Sequence, residues 1–487
     1  MLGIIIDSIS TFMYSKLLVI LLIGAGIYFT IRTKLPQMRL FKDACKAVVE
    51  KPEDENGVSS FQALMVSTAS RVGTGNIIGV SSAICIGGFG SVFWMWIIAI
   101  IGSASALIES TLAQIYKRKG KDGECYGGPA YYIEAALHCR PLAIIFCISM
   151  IATYAFGFNM LASYNLQSTF SGFSFYDVKW TPWIIGGILA VITGWCLLGG
   201  GSRIVKVTST LVPAMGVAYI LISVIVMIIN RAYLPVVFSK IISEAFDFKA
   251  IFGAFAGSAM MQGIRRGLYS NEAGIGSAPN ASASAQVSHP IKQGLVQMLS
   301  VFIDTLLLCT ATAMMCLSSG IAPAQELQGA PWVQAALHES LGNFGPLFIT
   351  VAMVLFAFTT LLGNCFYCDN LLNYIHKGQP SKTFMKGFRI VSALVVFIGA
   401  GMEVSMLWNI SDVTDNYVES RLQEIQTMLR SQTEEKHQFL VIHHSLTVGM
   451  NAHISKSVEM KVLEKTISSI KFWGGVKRRL LNDKDEI

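Results

Sequence analysis

Residues 70–80 read SRVGTGNIIGV, and they stand inside an apolar run that extends from Phe61 to Ile86. Three glycines, an asparagine and an arginine have no place in a helix that only faces lipid. A glycine costs about 1 kcal/mol in a helix interior. A bilayer tolerates non-helical backbone only where protein or a cavity takes up its polar groups. The stretch therefore predicts a membrane helix broken near its middle, with the break turned inward. The competing reading is close helix packing, for which Gly75 and Gly79 have the GxxxG spacing. A nucleotide loop is excluded: the glycine pattern is wrong, no strand precedes it, and the lysine of a phosphate-binding loop is missing.

The rest of the chain supports a membrane setting. Of 487 residues 53% are hydrophobic and 14% charged, with mean hydropathy +0.54. Soluble domains carry about 25% charge. Ten apolar segments approach or exceed the roughly 20 residues a bilayer demands. They lie roughly at 17–32, 60–87, 92–116, 141–165, 182–199, 205–229, 249–278, 291–318, 345–372 and 388–408. The N-terminal stretch has neither a basic n-region nor a small-residue cleavage site, so it reads as a first membrane helix rather than a signal peptide. One alternating set of loops holds eighteen Lys and Arg and the other four. That bias puts the first set in the cytoplasm and the N-terminus outside. The net charge of +7 belongs to these loops and implies no nucleic-acid partner. The ten cysteines fall mostly in apolar segments and read as small buried hydrophobes. The one CxxC pair, Cys365 and Cys368, has no second pair to complete a metal site.

A second interruption lies five segments after the first, at YSNEAGIGS, residues 269–277. Broken helices at matching positions in two halves point to the binding site of a repeat-built transporter. Two five-helix repeats then comprise segments 2–6 and 7–11, with segment 1 as an extra. Each break exposes half-helix ends. Free N–H groups attract a carboxylate, and free carbonyls attract a cation. The pair suggests an anionic or zwitterionic small solute with a cation beside it. Asp304, in the middle of segment 8, is an ionisable group in a membrane core and hence a functional candidate. It serves either as a second cation or proton site or as a structural carboxyl. Glu109, Glu272 and Glu403 lie nearer segment ends or breaks, and Glu272 is expected to hold the unwound backbone. Arg71 is either a gate charge or the partner of a buried acid.

The stretches GTGNIIGV (73–80), GGFGSVFWMW (87–96), ESTLAQIYK (109–117), GGPAYYIE (127–134), NEAGIGSAP (271–279) and FIDTLLLCTAT (302–312) resemble the alanine or glycine:cation symporter family. The resemblance covers roughly residues 15–414. It implies an all-α polytopic membrane protein with a leucine-transporter-like fold of inverted five-helix repeats, one extra N-terminal helix, and a multi-pass place in the plasma membrane. It implies a secondary symporter rather than an enzyme, importing a small neutral amino acid with Na⁺, occasionally H⁺. No resident cofactor is expected; Na⁺ enters as the coupling ion. Substrate contacts fall on Thr74, Gly75 and Asn76 and on Ser270 and Asn271. A Na⁺ site falls on carbonyls near Ala69 and Val72 with Thr359 and Thr360. Oxygen ligands suit such a hard cation, although either threonine hydroxyl can instead bond back to its own helix.

The chain departs from the family pattern in segment 4, at Ala162 and Tyr164, and in segment 9, where Gly363-Asn364-Cys365 replaces Gly-Trp-Ser. With Asn364 on a pocket wall, serine or glutamine joins alanine and glycine as an expected substrate. No eleventh segment can be read, so the last family helix is expected to be absent. From Asp415 onward charged residues are more than twice as dense as before, which marks 415–487 as a separate tail after a transporter domain at 1–414. Three rivals remain. One is a leucine-transporter-like carrier for another solute, and one is an inactive family member. The third, a membrane enzyme, lacks a convergent acid, base or nucleophile set.

Overall fold

The computed structural model describes residues 19–52, 57–120, 124–247 and 258–402, and helices dominate them. The first is α1, Val19–Arg32. Segment 2 begins with a capping box: Ser59 Oγ accepts from the Gln62 N–H at 3.1 Å, and Gln62 Oε1 accepts from the Ser59 N–H at 3.0 Å. It then forms α2 (Ser60–Arg71), a single 3₁₀ turn over Thr74–Asn76, and α3 (Ile78–Gly87). After it come α4 (Gly90–Ile115), α5 (Arg140–Gly172), α6 (Thr181–Leu198) and α7 (Gly200–Ile229). A short helix outside the expected spans, α8 (Leu234–Ala245), precedes the second broken segment. That segment forms α9 (Ala259–Asn271), an irregular turn, and α10 (Ala278–Ser282). Then follow α11 (Pro290–Leu317), the extra helix α12 (Ala330–Leu341), α13 (Phe344–Ile375) and α14 (Lys382–Ala400), and short helices at Pro36–Arg39, Phe41–Val48 and Pro129–Leu137 lie in the loops.

Seven of the described helices are long and apolar enough to cross a membrane: α4, α5, α6, α7, α11, α13 and α14. The expected segments 2 and 7 are not among them because both are interrupted. The molecule is thus a mostly helical, polytopic membrane protein. One two-residue hairpin, Arg118–Lys119 against Cys125–Tyr126, is added in the loop after α4. The tail at 415–487, Glu403 and the place of an eleventh segment lie outside the described residues.

Helix position follows composition. In α4 and α11 67% of the spanning window is buried, against 28% in α7. The inner helices carry the small and polar residues and the outer ones present Ile, Leu, Val and Trp. Val217, Leu221 and Ile225 on α7 and Ile184, Ile188 and Trp195 on α6 are exposed, as a lipid-facing surface requires. Small residues let the inner helices approach closely. A Cβ on Gly294 of α11 would lie 2.6 Å from the Leu107 carbonyl oxygen of α4, and one on Gly363 of α13 would lie 2.6 Å from the Ser70 backbone nitrogen of α2. The Gly363 contact is backbone against side-chain position, so no rotamer change can relieve it. We expect Gly363→Ala to destabilise the protein by about 1–3 kcal/mol. This is read as a lower midpoint of thermal denaturation in detergent; an unchanged midpoint would refute the close approach.

Two features were not foreseen. α5 and α11 each contain a stretch of wider π-helical turns, at Ala152–Phe158 and Phe302–Cys309. Such bulges recur at functional sites. The second carries Asp304.

Candidate functional site

Helix α2 ends because Gly73 takes an extended conformation, φ −136° and ψ −157°. The Gly73 N–H, which would have continued the helix ladder, donates to Asn76 Oδ1 at 2.9 Å. Among the described residues no backbone N–H reaches the carbonyls of Ala69 or Val72. On the far side of the break, no backbone carbonyl or described side chain accepts from the N–H of Thr74 or Gly75. The break therefore offers two buried, unpaired donors next to a carbonyl-rich helix end. The Thr74 side chain is fixed by Asn165 of α5, whose Nδ2 donates to Thr74 Oγ1 at 3.0 Å.

The second break is sharper. Glu272 adopts a left-handed conformation at φ +50°, and Gly274 and Gly276 follow at +91° and +84°. Glycine is at no disadvantage there, whereas a side chain such as that of Glu272 costs about 1–2 kcal/mol. Side-chain bonds hold Glu272 in place. Its Oε1 lies 3.0 Å from the Ser70 hydroxyl of α2 and its Oε2 accepts from Ser277 at 2.7 Å. The amides of this turn, unlike those of the first, are occupied. Glu109 of α4 accepts from the Gly276 N–H at 3.1 Å and the Gly274 N–H at 3.4 Å. A carboxylate of the protein itself fills the anion site of the second break.

Asp304 ties the two breaks together. Its Oδ1 accepts from Asn76 Nδ2 at 2.7 Å, and its Oδ2 accepts from the hydroxyls of Ser270 and Thr305, both at 2.8 Å. Cys309 Sγ lies 3.3 Å from Asn76 Nδ2 and 3.2 Å from Ser270 Oγ. Residues 228 and 34 positions from Asp304 thus meet on one carboxyl group. Its oxygens, with the hydroxyls of Ser270 and Thr305 beside them, make a hard, anionic cluster, chemistry suited to a small cation or a proton, while Asn76 turns its N–H₂ toward it.

Between the breaks lies a cavity of about 20 Å³, lined by Ser70, Arg71, Gly73, Thr74, Gly75, Ser270, Glu272 and Thr360. That is room for one water. Its apolar side is formed by Ala162 and by the rings of Phe158 and Tyr269, which meet edge to face at 5.1 Å. Gly75 packs directly on the Tyr269 ring, 3.0 Å from where a Cβ would stand. The conformation is closed around the breaks.

A glycine-broken pair of membrane helices with an acid between them is an arrangement that repeat-built transporters use, and the comparisons identify the family. The model of the sodium:alanine symporter family matches residues 1–433. This chain belongs to that family. Among its relatives, the amino-acid carrier protein AlsT of Bacillus subtilis is 42% identical over 399 residues, which is 82% of this chain and 83% of the relative. The probable sodium/glutamine symporter GlnT of the same organism is 41% identical, covering 82% and 83%. The sodium/alanine symporter AgcS of Methanococcus maripaludis is 36% identical, covering 84% and 90%.

In this sodium:alanine symporter family member the expected site residues divide into three groups. Thr74, Gly75 and Ser270 line the cavity. Asn76, Asn271 and Asn364 lie behind it. Asn76 is used at both ends by Gly73 and Asp304. Asn271 Oδ1 accepts from the Ala273 N–H at 3.0 Å. Asn364 Oδ1 lies 2.7 Å from Ser70 Oγ, and its Nδ2 donates to Asn159 at 2.9 Å. Asn364 therefore shapes the pocket through Ser70 rather than as a wall. Of the two threonines, Thr360 faces the break: its Oγ1 stands where a Cβ on Gly73 would have to go. Thr359 points to α7, 3.7 Å from Met215 Sδ. Both hydroxyls donate back to carbonyls of their own helix, Thr360 to Phe356 at 2.9 Å and Thr359 to Leu355 at 3.0 Å.

Sequence reading missed Ser70, Phe158, Asn165 and Tyr269, and gave Glu109 no role. For Glu109 a signal was present, since an acid within an apolar run is a functional candidate. The others have no mark in the sequence, because only tertiary packing brings them to the breaks.

Proposed function

We propose that this protein is a secondary active symporter importing a small neutral amino acid (alanine, glycine, serine or glutamine) with Na⁺ by alternating access. The observation that carries the reading is the asymmetry between the breaks. The second has its amides taken by Glu109, whereas the first leaves the N–H groups of Thr74 and Gly75 unpaired beside the cavity. The substrate carboxylate would sit on those two amides. The carbonyls near Ala69 and Val72 with Thr360 would hold Na⁺, and Asp304 with the hydroxyls of Ser270 and Thr305 would hold a second cation or a proton. No resident cofactor enters this scheme.

The same reading takes segments 2–6 and 7–11 as inverted repeats of a leucine-transporter-like fold, residues 1–414 as the transporter domain and 415–487 as a tail. It sets the chain in the plasma membrane with its N-terminus outside. Two broken helices in repeat register and the loop charge bias support it.

The purified chain in liposomes is expected to accumulate labelled alanine or another small neutral amino acid when Na⁺ is higher outside than inside. Equal uptake under K⁺, or no accumulation, would sink the proposal. The threonines separate within the same assay. Thr360→Val should raise the Na⁺ concentration for half-maximal uptake by about tenfold, the effect of roughly 1.4 kcal/mol. Thr359→Val should shift it much less. The reverse ranking would remove Thr360 from the cation site.

A further inference from the structure

Helices α6, α7 and α14 face lipid: 39%, 28% and 33% of their spanning windows are buried. α6 and α14 lie against each other, with the rings of Trp183 and Phe397 5.3 Å apart. α6 gives way to α7 at Gly199 and Gly200, beside the first turns of α14. The loop charges assign this end to the cytoplasm.

The corner is basic and holds no acid. Residues 196–210 contain Arg203 and Lys206, residues 376–400 contain Lys377, Lys382, Lys386 and Arg389, and neither stretch has an Asp or Glu. Arg203 folds back over Gly199, where a Cβ would collide with its guanidinium. Its Nη1 donates to the Trp195 carbonyl at 2.8 Å, and its guanidinium carbon lies 4.8 Å from the centroid of the Trp195 ring. That ring is 65% exposed on the lipid side of α6. The Arg203 Nε and Nη2 have no acceptor among the described residues. Arg389 reaches the same turn, its terminal nitrogens 3.7 and 3.8 Å from where a Cβ on Gly200 would stand. Asp369 neutralises Arg389 at 2.6 Å. Lys206, one turn beyond Arg203, and Lys386, one turn before Arg389, pair with no described carboxylate. Three unpaired cations thus stand together where lipid-facing helices leave the membrane.

We propose that this corner is a binding site for an anionic phospholipid. The lipid phosphate accepts from Arg203 Nε and Nη2, a planar fork that matches phosphate oxygens, and Lys206 and Lys386 flank it. The acyl chains run along the exposed Val191 and Trp195 of α6 and Ile390 and Leu394 of α14. Basic pockets between membrane helices on the cytoplasmic side hold anionic headgroups in this way. A zwitterionic choline headgroup brings its own cation to the corner and leaves the three side chains without a net counter-charge. The site lies apart from the cavity between the breaks and does not depend on which solute is carried.

The test uses the full chain in vesicles of equimolar phosphatidylglycerol and phosphatidylcholine, with bromine on the acyl chains of one lipid or the other. Bromine quenches nearby tryptophan, and the difference between native protein and Trp195→Phe isolates the emission of Trp195. That component should report phosphatidylglycerol enriched about fivefold or more over phosphatidylcholine, the factor that one Lys or Arg contributes near an anionic surface. Arg203→Gln and Lys386→Gln should each lower the enrichment by about threefold or more. Lys240→Gln, in the loop assigned to the outside, should leave it unchanged. Equal quenching by the two lipids overturns the site, and so does an equal loss in Lys240→Gln. Inorganic phosphate that abolishes the preference, where chloride of the same ionic strength does not, would make the corner a site for soluble phosphate and overturn the lipid. Should Arg203→Gln fail to fold, the native comparison and Lys386→Gln decide. No readout here uses transport, so a failure leaves the symporter reading standing.

Discussion

Asp304→Asn is expected to reduce Na⁺-driven uptake by about a hundredfold or more, the equivalent of roughly 3 kcal/mol. The replacement is nearly isosteric, so shape is kept and charge is lost. In the native protein one carboxyl accepts from Asn76 Nδ2, Ser270 Oγ and Thr305 Oγ1, and so joins both broken helices. An asparagine has a single acceptor oxygen. It can serve Asn76, but its N–H₂ then faces two hydroxyls that must turn to accept. Removing one partner of a buried charged network costs about 3–5 kcal/mol. The readout is initial uptake in liposomes, with substrate binding to detergent-purified protein measured separately. Near-native uptake with unaltered Na⁺ dependence would make Asp304 a structural carboxyl. Retained Na⁺ dependence with a lost pH dependence would assign it to a proton instead.

Glu109→Ala is expected to be the most destabilising substitution near the site. It would leave the N–H groups of Gly274 and Gly276 buried and unmet, at about 1–3 kcal/mol each. Glu109→Gln keeps one acceptor oxygen and should fall between the native protein and the alanine variant. Thermal midpoints in detergent supply the ranking. The same substitution should raise KM, because a second set of empty amides would compete with Thr74 and Gly75 for the substrate carboxylate. An alanine variant with a native midpoint and native KM would show that the second turn holds itself.

Much of the architecture was legible without coordinates. Membrane segments announce themselves through length and apolarity, since lipid admits few alternatives. The breaks announce themselves through glycine and polar residues in the wrong surroundings, a purely local signal. That is why GTGN and NEAGIGS pointed to the site, and why helix limits came out within a few residues for most segments. Helices α8 and α12 escaped because, at twelve residues each, they are too short to read as spans. The bulges at Ala152–Phe158 and Phe302–Cys309 escaped because one extra residue in a turn leaves no mark in composition.

By itself, then, the sequence determined that the chain crosses a membrane repeatedly, that two helices open within it, and where. Tertiary structure alone decided what each opening is free to do. Glu109 reaches the second turn from 165 residues away and fills its amides, while those of the first turn stay open. Thr359 and Thr360 are neighbours in sequence, yet about 100° of helix rotation turns one toward Met215 and the other toward Gly73. Arg71 reads as a gate or an ion-pair partner until packing sets Nη1 on Ser300 and Gln297 and places its charge among the buried carboxyls of Glu109, Glu272 and Asp304. Burial and pairing depend on which distant helices come together, and a linear pattern with a period of 3.6 residues carries no information about that choice.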